Sequence, residues 1–247
     1  MKRISWQIFL GFSLLLLSIA FYVLHYLMFR DAHHIFIYLI GDIAFVFIEV
    51  LLVTLIIHQL LSDKEKREKL EKLNMVIGVF FSEVGTDLLI YLSNADPKLE
   101  KIRKDLIVKY NWSEQEFKDV NKSLNKYEYA VEIIQINLSD LQSHLIEKRD
   151  FLIRLIENPI LFEHESFTGL LRAVFHLTEE LQSREDIVNL PPSDYKHLTG
   201  DIKRVYGLLV KQWLDYMKHL KSNYPYLFSL AMRTNPFDKE ASPIVRE

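Results

Sequence analysis

Residues 35–61 read IFIYLIGDIAFVFIEVLLVTLIIHQLL, an apolar run broken only by Asp42, Glu49 and a few uncharged polar residues. A hydrocarbon core of about 30 Å needs roughly 20 helical residues, so this stretch predicts a transmembrane helix. Ahead of it, residues 4–29 read ISWQIFLGFSLLLLSIAFYVLHYLMF, with no formal charge, and predict a first span. Lys2 and Arg3 before that run also suit a signal peptide. The run is too long for one, lacks small-x-small cleavage chemistry, and is followed at once by a second span.

The averages hide this division. The chain has 247 residues, 49% hydrophobic and 26% charged, with a formal net charge of −3. Residues 1–62 hold only six of its charges: Lys2, Arg3, Arg30, Asp31, Asp42 and Glu49. There is no cysteine, which excludes a disulfide scaffold, a thiol nucleophile and cysteine-ligated metal. Seven glycines and seven prolines argue against collagen-like, low-complexity and most all-β chains. The near-neutral balance offers no broad basic surface, so nucleic acid is not an expected partner.

Lys64, Lys66, Arg67, Lys69 and Lys72 follow the second span, whereas the connecting turn Arg30–His34 has one arginine. The positive-inside rule then puts both termini in the cytoplasm. The layout suits a multi-pass protein of a prokaryotic inner membrane.

Asp42 and Glu49 lie where charge costs roughly 2.5–3.5 kcal/mol on insertion scales. Seven residues apart, they share a helix face to within about 20° and are separated by about 10 Å along the axis. On the first span, Gly11, Ser18, Tyr22 and His25 form a matching face. Depth in an antiparallel hairpin pairs Ser18 with Glu49, and Tyr22 or His25 with Asp42. Asp42, Glu49, Ser18, Tyr22 and His25 are therefore the candidate polar site. No lysine or arginine lies within the two apolar runs, so the acids lack a strong fixed counter-charge. Three roles stay open: structural glue between helices, a proton or cation pathway, or pairing with a partner membrane protein.

Residues 63–72, DKEKREKLEK, pair Glu65 with Lys69 and Glu68 with Lys72 at i,i+4, which favours helix. Next, NMVIGVFFSEVGTDLLIYLS (74–93) is apolar enough to suggest a third span, but contains Glu83 and Asp87. Leu70, Leu73, Ile77, Phe80, Val84 and Leu88 recur at spacings of three and four, the stripe of a packed or coiled-coil stalk helix. The stripe also offers a dimerisation face.

Beyond it, Asn94–Asp96 with Pro97 signals a helix through KLEKIRKDLIVKY. Ser113-Glu-Gln-Glu116 is a capping box, predicting one long helix to about Glu157. Ser166 opens a helix ending near Arg184, and Ser193 caps another from Asp194 to about Ser222. Tyr224–Phe237 is a distinct aromatic end, suited to capping a bundle, touching a membrane interface or docking a partner. No strand, internal repeat or phosphate loop is evident.

Metal readings centre on His144 with Glu147, and on Glu163-His-Glu165 through His176-Leu-Thr-Glu179-Glu180. Di-iron bundles use Glu-x-x-His, and here the order is reversed. Relative to the apolar side of that helix, His176 lies about 180° from Phe167, and Glu179 and Glu180 about 120–140° away. They are expected at solvent or another subunit, so no metal, cofactor or catalytic residue is assigned. His-Glu-x-x-His, Gly-x-Ser-x-Gly and Walker-type loops are absent.

The expected fold class is all-α: a two-helix transmembrane hairpin, then a long stalk helix and a cytoplasmic antiparallel helical bundle. The expected domains are 1–62, with spans 4–29 and 35–61, then 63–94, 95–237 and a flexible tail 238–247. The expected function is a non-enzymatic assembly or signalling module. The alternative is an oligomeric channel or proton-linked transport component, and the third a membrane-anchored enzyme or metal protein. The expected partners are the lipid bilayer and a second copy or another membrane protein.

Overall fold

The computed structural model describes residues 2–245; the side chains of residues 2–5, 7, 162 and 163 fall outside the description. Lys2, Arg3 and Glu163 are among those side chains, and the last two residues of the expected tail also lie outside. The chain is all-α, with no strand among the described residues. It divides into two compact units, Met1–Lys66 and Arg67–Glu247.

The first unit holds α1 (Lys2–Phe29) and the part of α2 (Ala32–Phe80) up to Lys66. Neither apolar run contains proline, so nothing breaks the helical ladder. The turn is Arg30 and Asp31, shorter than the expected Arg30–His34. Arg30 takes a left-handed φ of 50°, closing α1 through its N–H on the Tyr26 carbonyl at 2.8 Å. Asp31 Oδ1 accepts from the His34 N–H at 3.1 Å, capping α2 and drawing His33 and His34 into it. Both helices are long and apolar enough to cross a membrane, and the most apolar window of each is unburied.

In the second unit, Leu73, Ile77 and Phe80 at the end of α2 enter the core. A π turn follows at Phe81–Gly85, then α3 (Thr86–Asn94). The turn's extra residue shifts the helical phase, so Phe80 and Phe81 are both buried, as are Leu88 and Leu89. Gly85 permits this. A Cβ there would sit 2.7 Å from Phe81 Cδ1 and 2.9 Å from Phe80 Cε1.

The helix expected after Pro97 is only a 3-10 turn at Leu99–Lys101 and the single turn α4 (Arg103–Leu106). The C-terminal segment replaces its ladder. Asn235 Nδ2 donates to the Leu106 carbonyl at 3.0 Å, and Arg103 Nη1 donates to the Phe237 carbonyl at 2.9 Å. The long helix expected from Ser113 to Glu157 is three helices: α5 (Glu114–Lys126), α6 (Leu138–Glu147) and α7 (Arg149–Ile156). Between α5 and α6 the chain serves other partners. Tyr127 Oη donates to the buried Asp96 at 2.7 Å, and the Glu132 N–H donates to the Ala95 carbonyl at 2.8 Å. Asn137 then caps α6 from its side chain.

Helix α8 (Glu165–Gln182) is capped by His164 rather than Ser166: His164 Nδ1 accepts from the Phe167 N–H at 3.3 Å. Helix α9 (Pro192–Asn223) starts at a proline with no side-chain cap, so Ser193 is not its cap. The short α10 (Pro225–Arg233) follows. Helix α9 is the central post, touching α3, α5, α8 and α10. One continuous apolar core fills this unit. Phe80 meets Phe167 edge-on with centroids 5.4 Å apart, and Phe81 stacks on Tyr216 at 5.2 Å.

Candidate functional site

In the hairpin, a cleft of about 690 Å³ is lined by residues that include Ser18, Tyr22 and His25 from α1 with His34 and Tyr38 from α2. The His25 ring lies nearly parallel to that of His34, 5.8 Å away, and His34 meets Tyr38 at 4.6 Å. His25 Nδ1 is buried without a hydrogen-bond partner. Three of the five expected polar-site residues thus share one cleft. His34 and Tyr38 join them unanticipated, because His34 was assigned to the turn.

Asp42 and Glu49 do not line this cleft and are exposed. The shorter turn explains part of the difference. With His25 opposite His34, equal rise along both helices puts Ser18 near the level of Asp42, and Gly11 near Glu49. That register differs from the pairing of Ser18 with Glu49.

Of the stripe expected on the stalk, Leu73, Ile77, Phe80, Val84 and Leu88 are buried, whereas Leu70 is 53% exposed. The buried members pack within the C-terminal unit, as Phe80 on Phe167 shows. They are therefore not free to form a dimer seam. The aromatic end contributes Phe228 and Phe237 to the core, Phe237 meeting Trp213 at 5.2 Å. The region expected as a tail is tied at two points: Lys239 to Glu100 at 2.8 Å, and the Ser242 N–H to the Arg233 carbonyl at 2.8 Å.

The residues weighed for metal binding separate. Glu147 is exposed. His144 sits near Tyr91, with its Nε2 buried and unpartnered. Glu179 pairs with Arg149 at 3.2 Å. His164 caps α8, and Glu163 lies outside the described side chains. His176 is about half-exposed, and what it faces is α9 of the same chain: its Nε2 lies 3.7 Å from the buried Asp201. Asp201 was not anticipated. Its signal is the pentapeptide His176-Leu-Thr-Glu-Glu180, which recurs as His197-Leu-Thr-Gly-Asp201. The chain thus has a short internal repeat that an inspection for long periods passes over.

Arg184 organises the α8–α9 connection. Its Nε and Nη2 donate to both oxygens of Asp194 at 2.7 Å, and its Nη1 to Glu180 at 2.9 Å. These bonds hold both carboxyls below their ordinary range. Farther along α9, burial raises the Asp215 carboxyl. Burial also lowers His219, against the charge of Glu71.

The model of a family described as "Uncharacterized protein MJ1433, C-terminal helical domain" matches residues 69–233. Its companion, "MJ1433, N-terminal helical domain", matches residues 2–61. The chain belongs to the MJ1433 family. One relative, Uncharacterized protein MJ1433 of Methanocaldococcus jannaschii, is 47% identical over 236 residues, covering 96% of this chain and 95% of the relative. No solved structure matches the chain. The two MJ1433 family domains are both described as helical, and their matches leave only residues 62–68 between them. That interval holds much of the charged stretch of α2.

Proposed function

We propose that the chain is an integral membrane protein whose spans, 4–29 and 35–61, form a hairpin with both termini in the cytoplasm. Residues from 63 onward act there as a non-enzymatic helical assembly or signalling module. One observation carries the reading: the apolar side chains of the hairpin have no protein cover. Phe9 is 71% and Phe47 74% exposed, a surface that water would not tolerate and lipid would. The cluster of Lys and Arg after residue 63 supports the orientation.

Reporter fusions at the C-terminus test this. A fluorescent protein should be bright and a secreted-type phosphatase inactive, with the chain retained in carbonate-washed membranes. Active phosphatase, or release of the chain by carbonate, would overturn it.

The second reading, an oligomeric channel or proton-linked component, is favoured by the exposure of Asp42 and Glu49 on an otherwise apolar surface. Acids facing lipid need partners from another helix, supplied by a second copy or another membrane protein. Asp42→Asn with Glu49→Gln should abolish assembly in detergent. Loss of assembly with unchanged ion flux in vesicles would discard the pathway and keep the assembly role.

A further inference from the structure

We propose that α8 and α9 together form a binding site for one divalent transition-metal ion of the zinc class, with His176, Glu180, His197 and Asp201 as its ligands. The site lies wholly within the C-terminal unit and does not depend on the membrane reading.

The sequence supplies the first argument. His-Leu-Thr-x-Glu/Asp occurs once on each of two neighbouring helices, at 176–180 and 197–201. Residues i and i+4 stand about 40° apart and one turn along the axis, so each motif presents its imidazole and carboxylate side by side. Leu177 and Leu198 are fully buried and fix both motifs against the core, leaving each His–acid pair to face the other across the helix interface.

The geometry supplies the second. His197 Nε2 lies 3.3 Å from Asp201 Oδ2 and 3.5 Å from Glu180 Oε2. His176 Nε2 lies 3.7 Å from Asp201 Oδ2 and 3.8 Å from Glu180 Oε1. Each imidazole thus addresses the acid of its own helix and that of the other, as a local two-fold requires. These separations exceed the 2.7–3.2 Å of an N–H···O bond. The two His197 separations match the edge of a coordination tetrahedron and the two His176 separations exceed it: with metal–ligand bonds of about 2.0–2.2 Å, neighbouring donor atoms stand about 3.3–3.6 Å apart. Among the described residues no group of three or more His, Cys, Asp or Glu is arranged so that it could hold a metal ion as it stands. This one must draw its wider pairs together, and the half-exposed histidine side chains leave room to do so.

The third argument is an orphan. The Asp201 side chain is 6% exposed, and its Oδ2 is buried with no hydrogen-bond partner. A buried anionic oxygen without a donor is costly, and this one points at both histidines. The acids are also braced by arginines. Arg204 lies 3.5 Å from the other Asp201 oxygen, and Arg184 holds Glu180 through Oε2, which also faces His197, leaving Oε1 toward His176. Such outer contacts orient metal-binding carboxylates. Two neutral imidazoles and two carboxylates neutralise a dication, and imidazole selects zinc-class ions over magnesium.

The test uses the full-length, untagged protein in detergent, stripped with chelator and titrated calorimetrically with zinc chloride and, separately, magnesium chloride. One zinc per chain should bind, magnesium should not, and cobalt(II) should give the visible bands of a tetrahedral nitrogen–oxygen site. His176→Gln with His197→Gln should weaken zinc binding by about a hundredfold or more, since even outer-contact changes cost about 10–100-fold. His144→Gln should leave it unchanged. Circular dichroism checks that the variants fold; should the double variant misfold, His176→Gln alone carries the comparison. Absence of zinc binding by the folded wild type, or undiminished binding by the folded histidine variant, would overturn the proposal.

Discussion

Phe47 and Phe80 lie on one continuous helix, yet Phe47 is 74% exposed and Phe80 fully buried. The two regions they represent use the same residue types under different rules. From Phe80 onward, apolar stripes recur on one side and are buried by neighbouring helices. Some buried polar groups there are paired within the bundle: Thr178 Oγ1 donates to the Val174 carbonyl at 2.8 Å, and Asn235 Nδ2 to Leu106. In the hairpin, apolar side chains point in every direction, and the acids Asp42 and Glu49 stand exposed among them. Hydrophobic content separates these regions in part, the hairpin being the richer. Its distribution around the helix, and the charged stretch at 63–72, separate them further.

The sharpest way to break the comparison is to truncate one phenylalanine from each region. Phe80→Ala should cost about 3–5 kcal/mol of stability in the C-terminal unit, as expected for a buried aromatic ring. Phe47→Ala should leave that unit's denaturation midpoint unchanged. Denaturant melts followed by the fluorescence of Trp112 and Trp213 would show it; equal losses from both would mean the hairpin shares the core. Gly85→Ala comes next. Its Cβ would strike the rings of Phe80 and Phe81, and overpacking of this kind costs about 1–3 kcal/mol. A neutral result would mean that the π turn relaxes to an ordinary helical turn.

The helical class was legible because apolar periodicity is a one-dimensional signal. The capping box at Ser113 was legible for the same reason, since its partners are three residues apart. The interruption at Tyr127–Asn137 was not. Its causes, Asp96 and Ala95, lie some thirty residues away, and local propensity cannot weigh a hydrogen bond to a distant carboxylate. Asn137 did carry a local cap signal, masked by the apolar stripe running through it. The α8–α9 cluster was half-legible. Helical phase correctly placed His176 away from the Phe167 side, but could not show that α9 brings Asp201 to it. The repeated His-Leu-Thr pentapeptide was the available clue.

A smaller effect tests how the α8–α9 connection is held. Arg184→Met removes three charge-assisted bonds to partly shielded carboxyls and should cost about 1–2 kcal/mol at neutral pH. Asp194 and Glu180 have folded pKa values below their unfolded ones. Their contribution is therefore fully present above the unfolded carboxyl range, about 4, and is lost as pH falls through the lower folded values. The gap between wild type and variant should narrow in acid. A gap that widens instead would show that Arg184 acts through packing rather than charge.

The smallest effect separates local from global order. Ser113 Oγ accepts from the Glu116 N–H at 3.3 Å, and Glu116 accepts from the Ser113 N–H at 2.5 Å. Ser113→Ala removes the first bond, together with the bond that Ser113 Oγ–H donates to the Glu116 carboxylate at 2.9 Å, and should cost about 1 kcal/mol. Helix α5 lies against α9 and buries Phe117 and Leu124, so the rest of the unit should not notice. Amide exchange in residues 114–118 should accelerate while Leu209 and Val210 in α9 keep their protection. Asp31→Ala makes the matching change in the hairpin, where Asp31 caps α2 through His34. There no buried anchor stands behind the cap, so exchange should spread further along the helix than it does in α5. Equal spreading in the two would mean that the hairpin's first turn is held by something other than its cap.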